Sequence, residues 1–279
     1  MSMSFLLPSM LGVGIFFVVP FLVVGYYSVV DTPFNARFVG LGNFIRLMQN
    51  SAFLSAAKNT AIFSLTAVPL AVILSLLMAV ILEQNIPMKS AFRTFFLTPL
   101  MVPTASIVLI WQVFFHYNGT INEFLLRIGH GKIDWFKSGA SYIVILILFL
   151  WKNLGYNMIL FMAALNEVPD ELLEVSDLDG ASGLQKFFYI KLRYLSPTIF
   201  FVALMSLVNS FKVFREIYLL TGDYPVDTLY MLQHFMNNTF KSLDYQKLSA
   251  AAVLMFLAMI VIIGILFFLE DRFGKDLEG

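Results

Sequence analysis

No charged side chain precedes Asp31, and long stretches almost free of charge recur through to the end of this chain. A helix crossing the roughly 30 Å hydrocarbon core of a bilayer needs about 20 mostly apolar residues. Six stretches meet or approach that length: 5–27, 59–82, 95–115, 142–165, 195–211 and 248–269. Only 142–165 holds a charge, Lys152. Charged residues make up 13% of the chain and apolar ones 59%, against about 25% charged in a typical soluble domain. No ordinary core hides that much apolar surface, and a bilayer does. The expected fold is all-α, a polytopic membrane bundle of six transmembrane helices forming one domain over 1–279.

The first stretch lacks a basic leading segment and an A-x-A site, and it outruns the roughly 7–15 apolar residues of a signal peptide. It reads as a retained helix. Pro69, Pro99 and Pro103 fall inside spans, where freed backbone groups must be satisfied by neighbouring helices or a cavity. For 95–115 this leaves two readings, a helix packed within a bundle or a simple kink. No internal repeat and no Gly-x-x-x-Gly pairing motif is visible in the spans.

Six spans place both termini on one side. Loops 83–94 and 166–194 join them there, and 28–58, 116–141 and 212–247 lie opposite. Lysine and arginine bias normally sets the orientation. Here the termini side holds Lys89, Arg93, Lys186, Lys191, Arg193, Arg272 and Lys275, and the longer opposite loops hold ten. The densities are nearly equal, so charge leaves the orientation open.

Zero net charge provides no electrostatic footprint for nucleic acid, and the lipid bilayer is the expected environment. Cysteine is absent, which excludes disulfides and thiolate metal sites. No Asp, Glu or His lies inside the spans as drawn, which argues against proton coupling through intramembrane carboxylates or histidines. Sodium coupling through backbone carbonyls remains open. No phosphate-binding G-x-x-x-x-G-K-[ST] loop occurs, since Gly129-His130-Gly131-Lys132 is too short. His116, His130 and His234 are scattered without metal-ligand spacing. No acid, base or metal cluster suggests an enzyme, and if the chain pumps, its energy arrives from another polypeptide.

Lys152 is costly at mid-span, on the order of 2.5–3.5 kcal/mol. It should face a cavity or a partner, or else snorkel to the headgroups.

The most organised polar segment is 166–194. Pro169 suits a first helical turn, and Asp170, Glu171 and Glu174 follow it at the positive end of the helix dipole. Gly180 interrupts as a chain reversal requires. Ser182 can cap a second amphipathic helix over 183–194. Two short helices joined at a glycine fit a hairpin resting on the headgroups. They also fit a rigid knob that inserts into a groove on a partner.

This segment resembles the EAA loop of ABC importer permeases: Glu-Ala-Ala, three residues, Gly, nine residues, then Ile-x-Leu-Pro. Glu174-Val175-Ser176 stands for Glu-Ala-Ala, and Gly180, Ile190 and Leu192 match. Val175 and Ser176 replace the alanines, and Arg193 replaces the proline. Phe38-Val39-Gly40-Leu41-Gly42-Asn43-Phe44, Lys58-Asn59-Thr60, Phe92-Arg93-Thr94 and Trp151-Lys152 resemble further motifs of the sugar-type, maltose-permease-like subunits. Ser210–Phe214 and Tyr218–Gly222 complete the series, in order along nearly the whole chain.

The resemblance implies a type I ABC importer permease fold with a cytoplasmic coupling loop, in a bacterial or archaeal plasma membrane, both termini inside. It implies a second homologous permease, an ABC ATPase dimer that binds ATP and Mg, and an extracytoplasmic solute-binding protein. This chain itself would bind no cofactor. Glu174 and Gly180, with Glu171, Asp177, Asp179 and Ala181, would couple to the ATPase. Trp151 and Tyr156, taken as roughly one helical face, would offer aromatic surface to a carbohydrate, and Asn153, Ser206, Asn209 and Ser210 would offer hydrogen bonds. The same residues also suit packing, interface anchoring and interhelical bonding. A polyol or glycerol-phosphate permease and a stand-alone secondary carrier are the alternatives.

Overall fold

The computed structural model describes residues 2–84 and 86–274; Lys275 lies outside the described residues. Among these, every regular element is helical, apart from one isolated antiparallel bridge between Val30 and Phe38. Helix α1 is Leu6–Ser28, with α2 Gly42–Met48 and α3 Ser51–Glu83 following. Then come α4 Lys89–Met101, α5 Thr104–Phe115, α6 Thr120–Arg127 and α7 Ser141–Leu165. Helix α8 is Asp170–Leu178. Helix α9 starts as Gly183–Lys186, winds through a π turn at Phe187–Lys191 and ends at Leu192–Tyr194. Helices α10 Ser196–Lys212, α11 Phe214–Thr221, α12 Leu232–Lys241 and α13 Tyr245–Gly274 complete the chain.

Among the described residues five helical segments are long and apolar enough to cross a bilayer, and a bent pair makes a sixth if it is counted as one span. The bent pair corrects the reading of 95–115 as one helix. Helix α4 stops at Met101, the chain extends at Val102 (φ −96°, ψ 129°), and α5 begins after Pro103. The arms Lys89–Met101 and Thr104–Arg127 are bent by 105°. Pro103 forces this by driving the preceding residue out of the helical region, whereas Pro99 stays inside α4. A second correction concerns the fifth span. It does not end at 211 but runs on as Ser196–Thr221, with a one-residue break at Val213. Glu216, drawn outside the spans from sequence, therefore lies inside one.

The chain divides into two compact units. One comprises the residues up to Lys58 with Met231–Ile262. In it, Asn43 explains its place in the 38–44 motif: its buried amide donates to the carbonyls of Ser28 and Val30, both at 2.8 Å. Those carbonyls sit where α1 ends, so Asn43 satisfies groups that a helix terminus leaves unpaired. Phe53 packs edge-on against Phe235.

The second unit comprises Asn59–Tyr230 and the residues from Ile263 on. Ala79 and Leu82 of α3, Met158, Phe161, Met162 and Leu165 of α7, and Leu195 and Val202 around α10 form its buried cluster. Gly155 of α7 lies against the backbone of α4, where a Cβ would overlap the carbonyl of Phe96. This contact brings two spans together without a Gly-x-x-x-Gly motif.

Candidate coupling loop and solute pathway

The 166–194 segment folds as two helices reversed at Gly180. Pro169 precedes α8 in an extended conformation (φ −62°, ψ 128°), and Asp170 and Glu171 occupy the first turn, where backbone N–H groups face them. The helix closes with a Schellman motif: Ala181 N–H donates to Ser176 O at 2.9 Å and Gly180 N–H to Asp177 O at 3.0 Å. This closure needs a left-handed residue, and Gly180 has φ +75°. Ser182 then caps α9 in a reciprocal capping box with Gln185. Lys186 pairs with Asp177 across the reversal. Lys191 pairs with Glu83 at the end of α3, 2.7 Å away.

Helix α9 runs through Arg193, where the motif carries proline. Leu195 N–H donates to Lys191 O at 2.9 Å and Ile199 N–H to Leu195 O at 2.8 Å, so the path continues helically into α10. Arginine keeps an N–H that proline lacks. Glu171, Glu174, Asp177, Asp179 and Gly180 are exposed, and Ala181 is half-buried. Leu178 and Leu184 are 89% and 72% exposed, so the knob carries apolar surface that this chain leaves uncovered.

The polar residues expected along the pathway form a seam between α7 and the fifth span. Asn157 donates to Ser206 Oγ at 3.0 Å, and Asn209 donates to Asn153 Oδ1 at 2.8 Å. One step further, Lys152 pairs with Glu216. The partners run in opposite directions along the two segments. Ser210 meets Ser64 of α3 at 2.8 Å. Ser206 and Ser210 are fully or almost fully buried, so within this chain their hydroxyls serve interhelical bonding. Asn209 and Asn153 are likewise engaged with each other.

The aromatic pair does not share a face. Five residues turn an α-helix by about 500°, leaving Trp151 and Tyr156 roughly 140° apart. Trp151 faces Trp111 of α5 with ring centroids 6.2 Å apart, and Tyr156 is exposed.

Lys152 sits near the middle of α7, roughly 16 Å or more from either end at about 1.5 Å per residue. Its ammonium does not snorkel. It pairs with Glu216 of α11 and lies 3.5 Å from Thr104 Oγ1 of α5. Sequence reasoning missed Glu216, Asn157, Gly155 and Trp111. A lone mid-span lysine was the signal for Glu216, because a buried charge calls for a counter-charge.

Residues 71–278 match the family described as "Binding-protein-dependent transport system inner membrane component". The arabinooligosaccharides transport system permease protein AraP of Halalkalibacterium halodurans is 32% identical over 216 residues, 72% of this chain and 67% of that protein. The sn-glycerol-3-phosphate transport system permease protein UgpA of Yersinia pestis is 30% identical over 272 residues, 95% of this chain and 92% of that one. Among solved structures, a bacterial alginate ABC transporter in complex with an alginate pentasaccharide-bound periplasmic protein gives a TM-score of 0.85. It covers 98% of this chain and 94% of that one at 20% identity, a likeness of fold. The apolar helices and these relatives make the chain a multi-pass inner membrane transport subunit. It belongs to the family of binding-protein-dependent transport system inner membrane components.

Proposed function

We propose that this chain is one of two permease subunits of an ATP-driven importer and forms half of the pathway for a carbohydrate-class solute handed over by a solute-binding protein. The observation that carries the reading is the knob at 170–194. It is closed by a Schellman motif, capped at Ser182 and presents exposed acids and leucines. Such a hairpin suits a cleft on an ATPase dimer, where helix-in-groove docking takes up its apolar side. ATP and Mg²⁺ bind on that ATPase, and none is needed on this chain. Closure of the ATPase dimer rocks the knob and switches access to the pathway. The knob and both termini then face the cytoplasm, and the loops after the first, third and fifth spans face outward.

Glu174 pairs with a basic group of the ATPase in this scheme, with Glu171, Asp177 and Asp179 adding negative charge and Gly180 and Ala181 fixing the reversal. Trp151, Asn153 and Asn209 line the solute route, and Ser206 and Ser210 hold its helices together. The arabinooligosaccharide relative supports an oligosaccharide cargo. The glycerol-phosphate relative, matched over more of the chain, supports a smaller anionic one as the second reading.

The test is to purify the tagged chain from native membranes in mild detergent, identify the subunits that accompany it and assay ATP hydrolysis. A second permease and an ATPase, with hydrolysis, are the expected result. A lone polypeptide, under conditions that keep a control complex intact, overturns the reading. Glu174→Ala should leave the chain folded while abolishing ATP-coupled uptake. Undiminished assembly and uptake in that variant removes Glu174 from the joint.

A further inference from the structure

Helices α5, α7 and α11 bring together a set of side chains of which only Trp151 is among the expected pathway residues. Trp111 of α5 faces Trp151 of α7 and stacks on Phe115 with centroids 4.9 Å apart. Thr104 lies two turns before Trp111 on the same helix and approaches the Lys152 ammonium. Gln112 donates to Leu219 O of α11 at 3.4 Å. Glu216, one turn earlier on α11, pairs with Lys152.

An aromatic pair beside a donor, an acceptor and a hydroxyl is a chemistry that suits sugars. The C–H faces of a sugar ring lie on aromatic surface, and its hydroxyls both donate and accept. The charges decide which sugars. An unpaired lysine in the low-dielectric middle of a span would attract an anion strongly. Here the carboxylate of Glu216 is in direct contact with the ammonium, and the cluster carries no net charge. The lysine side chain is 26% exposed and the glutamate side chain 9%, so the lysine is reachable while its counter-charge is buried. The neighbouring cations Lys212 and Arg215 are exposed, and among the described residues neither shares a hydrogen bond or ion pair with Glu216.

We propose that Glu216, by neutralising Lys152, makes this cluster a site for uncharged polyhydroxylated solutes and bars anionic ones. The inference rests on the importer reading and selects between its two cargo classes. Glu216 is a specificity-determining residue in this scheme, and Lys152 is the cation it masks. An anion reaching the cluster meets a lysine already paired and a carboxylate of its own sign. A neutral sugar exchanges water for the same donors and acceptors without that repulsion.

The complete complex in lipid nanodiscs, without the binding protein, tests this by saturation-transfer-difference NMR, which reads weak binding directly. The probes are arabinotriose and sn-glycerol 3-phosphate. Wild type should bind arabinotriose and give no signal for glycerol phosphate. Glu216→Gln should gain glycerol-phosphate binding, tightened at least about tenfold, and Lys152→Gln/Glu216→Gln should lose that gain. Glycerol phosphate binding to wild type at least as tightly as arabinotriose overturns the proposal, whether or not Glu216→Gln accumulates. So does an unchanged preference in Glu216→Gln, or the absence of signal from either probe. A complex that assembles and hydrolyses ATP yet fails these arms sinks the charge filter alone, whereas a chain that purifies without an ATPase sinks the importer reading.

Discussion

Gly155 of α7 and the carbonyl of Phe96 in α4 lie so close that no side chain fits between them. The obstacle is backbone rather than the end of a flexible side chain, so it cannot rotate away. Any β-carbon at 155 must push the two spans apart and disturb the neighbouring buried positions Asn153 and Asn157. Overpacking of this kind costs about 1–3 kcal/mol. Gly155→Ala should lower the melting temperature of the detergent-solubilised protein, and Gly155→Leu should prevent its accumulation. Equal melting temperatures for Gly155→Ala and wild type would mean that the crossing is looser than the structure places it.

The seam between α7 and α10 makes a quantitative prediction. Asn157 and Ser206 bond at 3.0 Å, and both are buried. Interhelical polar pairs in membranes contribute about 0.6 kcal/mol on average, rarely more than about 1.7. A double-mutant cycle of Asn157→Ala and Ser206→Ala should therefore give a coupling energy in that range. Asn153→Ala with Asn209→Ala should behave alike. A coupling near zero for both pairs would reduce the seam to apolar packing.

The spans show why some of this was legible and some was not. The length of an apolar run sets a bilayer crossing, so 142–165 and 248–269 lie within helices observed at Ser141–Leu165 and Tyr245–Gly274. Gly180 and Ser182 were legible because a reversal and a cap depend on local chemistry. Glu216 was signalled only through the need of Lys152 for a counter-charge, and hydropathy along one stretch of sequence does not say which residue stands opposite. The same holds for Ser206 and Ser210. Their polarity marked them as pathway candidates, and only the packing shows those hydroxyls bonded to α7 and α3. At Pro103 a simple kink was one of two open readings, and the extended Val102 makes it a full break.

Gly180 separates backbone strain from steric crowding. A Cβ there would meet nothing within 4 Å, so a substitution is opposed only by the left-handed φ of +75°. An L-residue carries a penalty of roughly 1–2 kcal/mol in that conformation, and asparagine is enriched there. Gly180→Asn should keep most ATP-coupled uptake, and Gly180→Val should lose most of it, with little change in the melting temperature of the spans for either. Equal uptake by both variants would show that the reversal tolerates another geometry.

Lys191 and Glu83 join the knob to the end of α3 at 2.7 Å. With side chains 19% and 29% exposed, the pair sits in a partly wet setting, where such bridges are worth at most about 1 kcal/mol. Its removal should scarcely move the melting temperature. The consequence should instead appear in coupling, because the bridge is a direct side-chain link from α9 to a transmembrane helix. If knob motion reaches the spans through it, Lys191→Ala should leave ATP hydrolysis intact and lower the solute imported per ATP consumed. Glu83→Lys alone should do the same, since it sets like charges face to face. The swap Glu83→Lys/Lys191→Glu should restore the ratio, which neither a packing defect nor a general loss of stability would do. A swap no better than either single variant would place the transmission elsewhere, for example along the continuous helical path from Lys191 through Leu195 into α10.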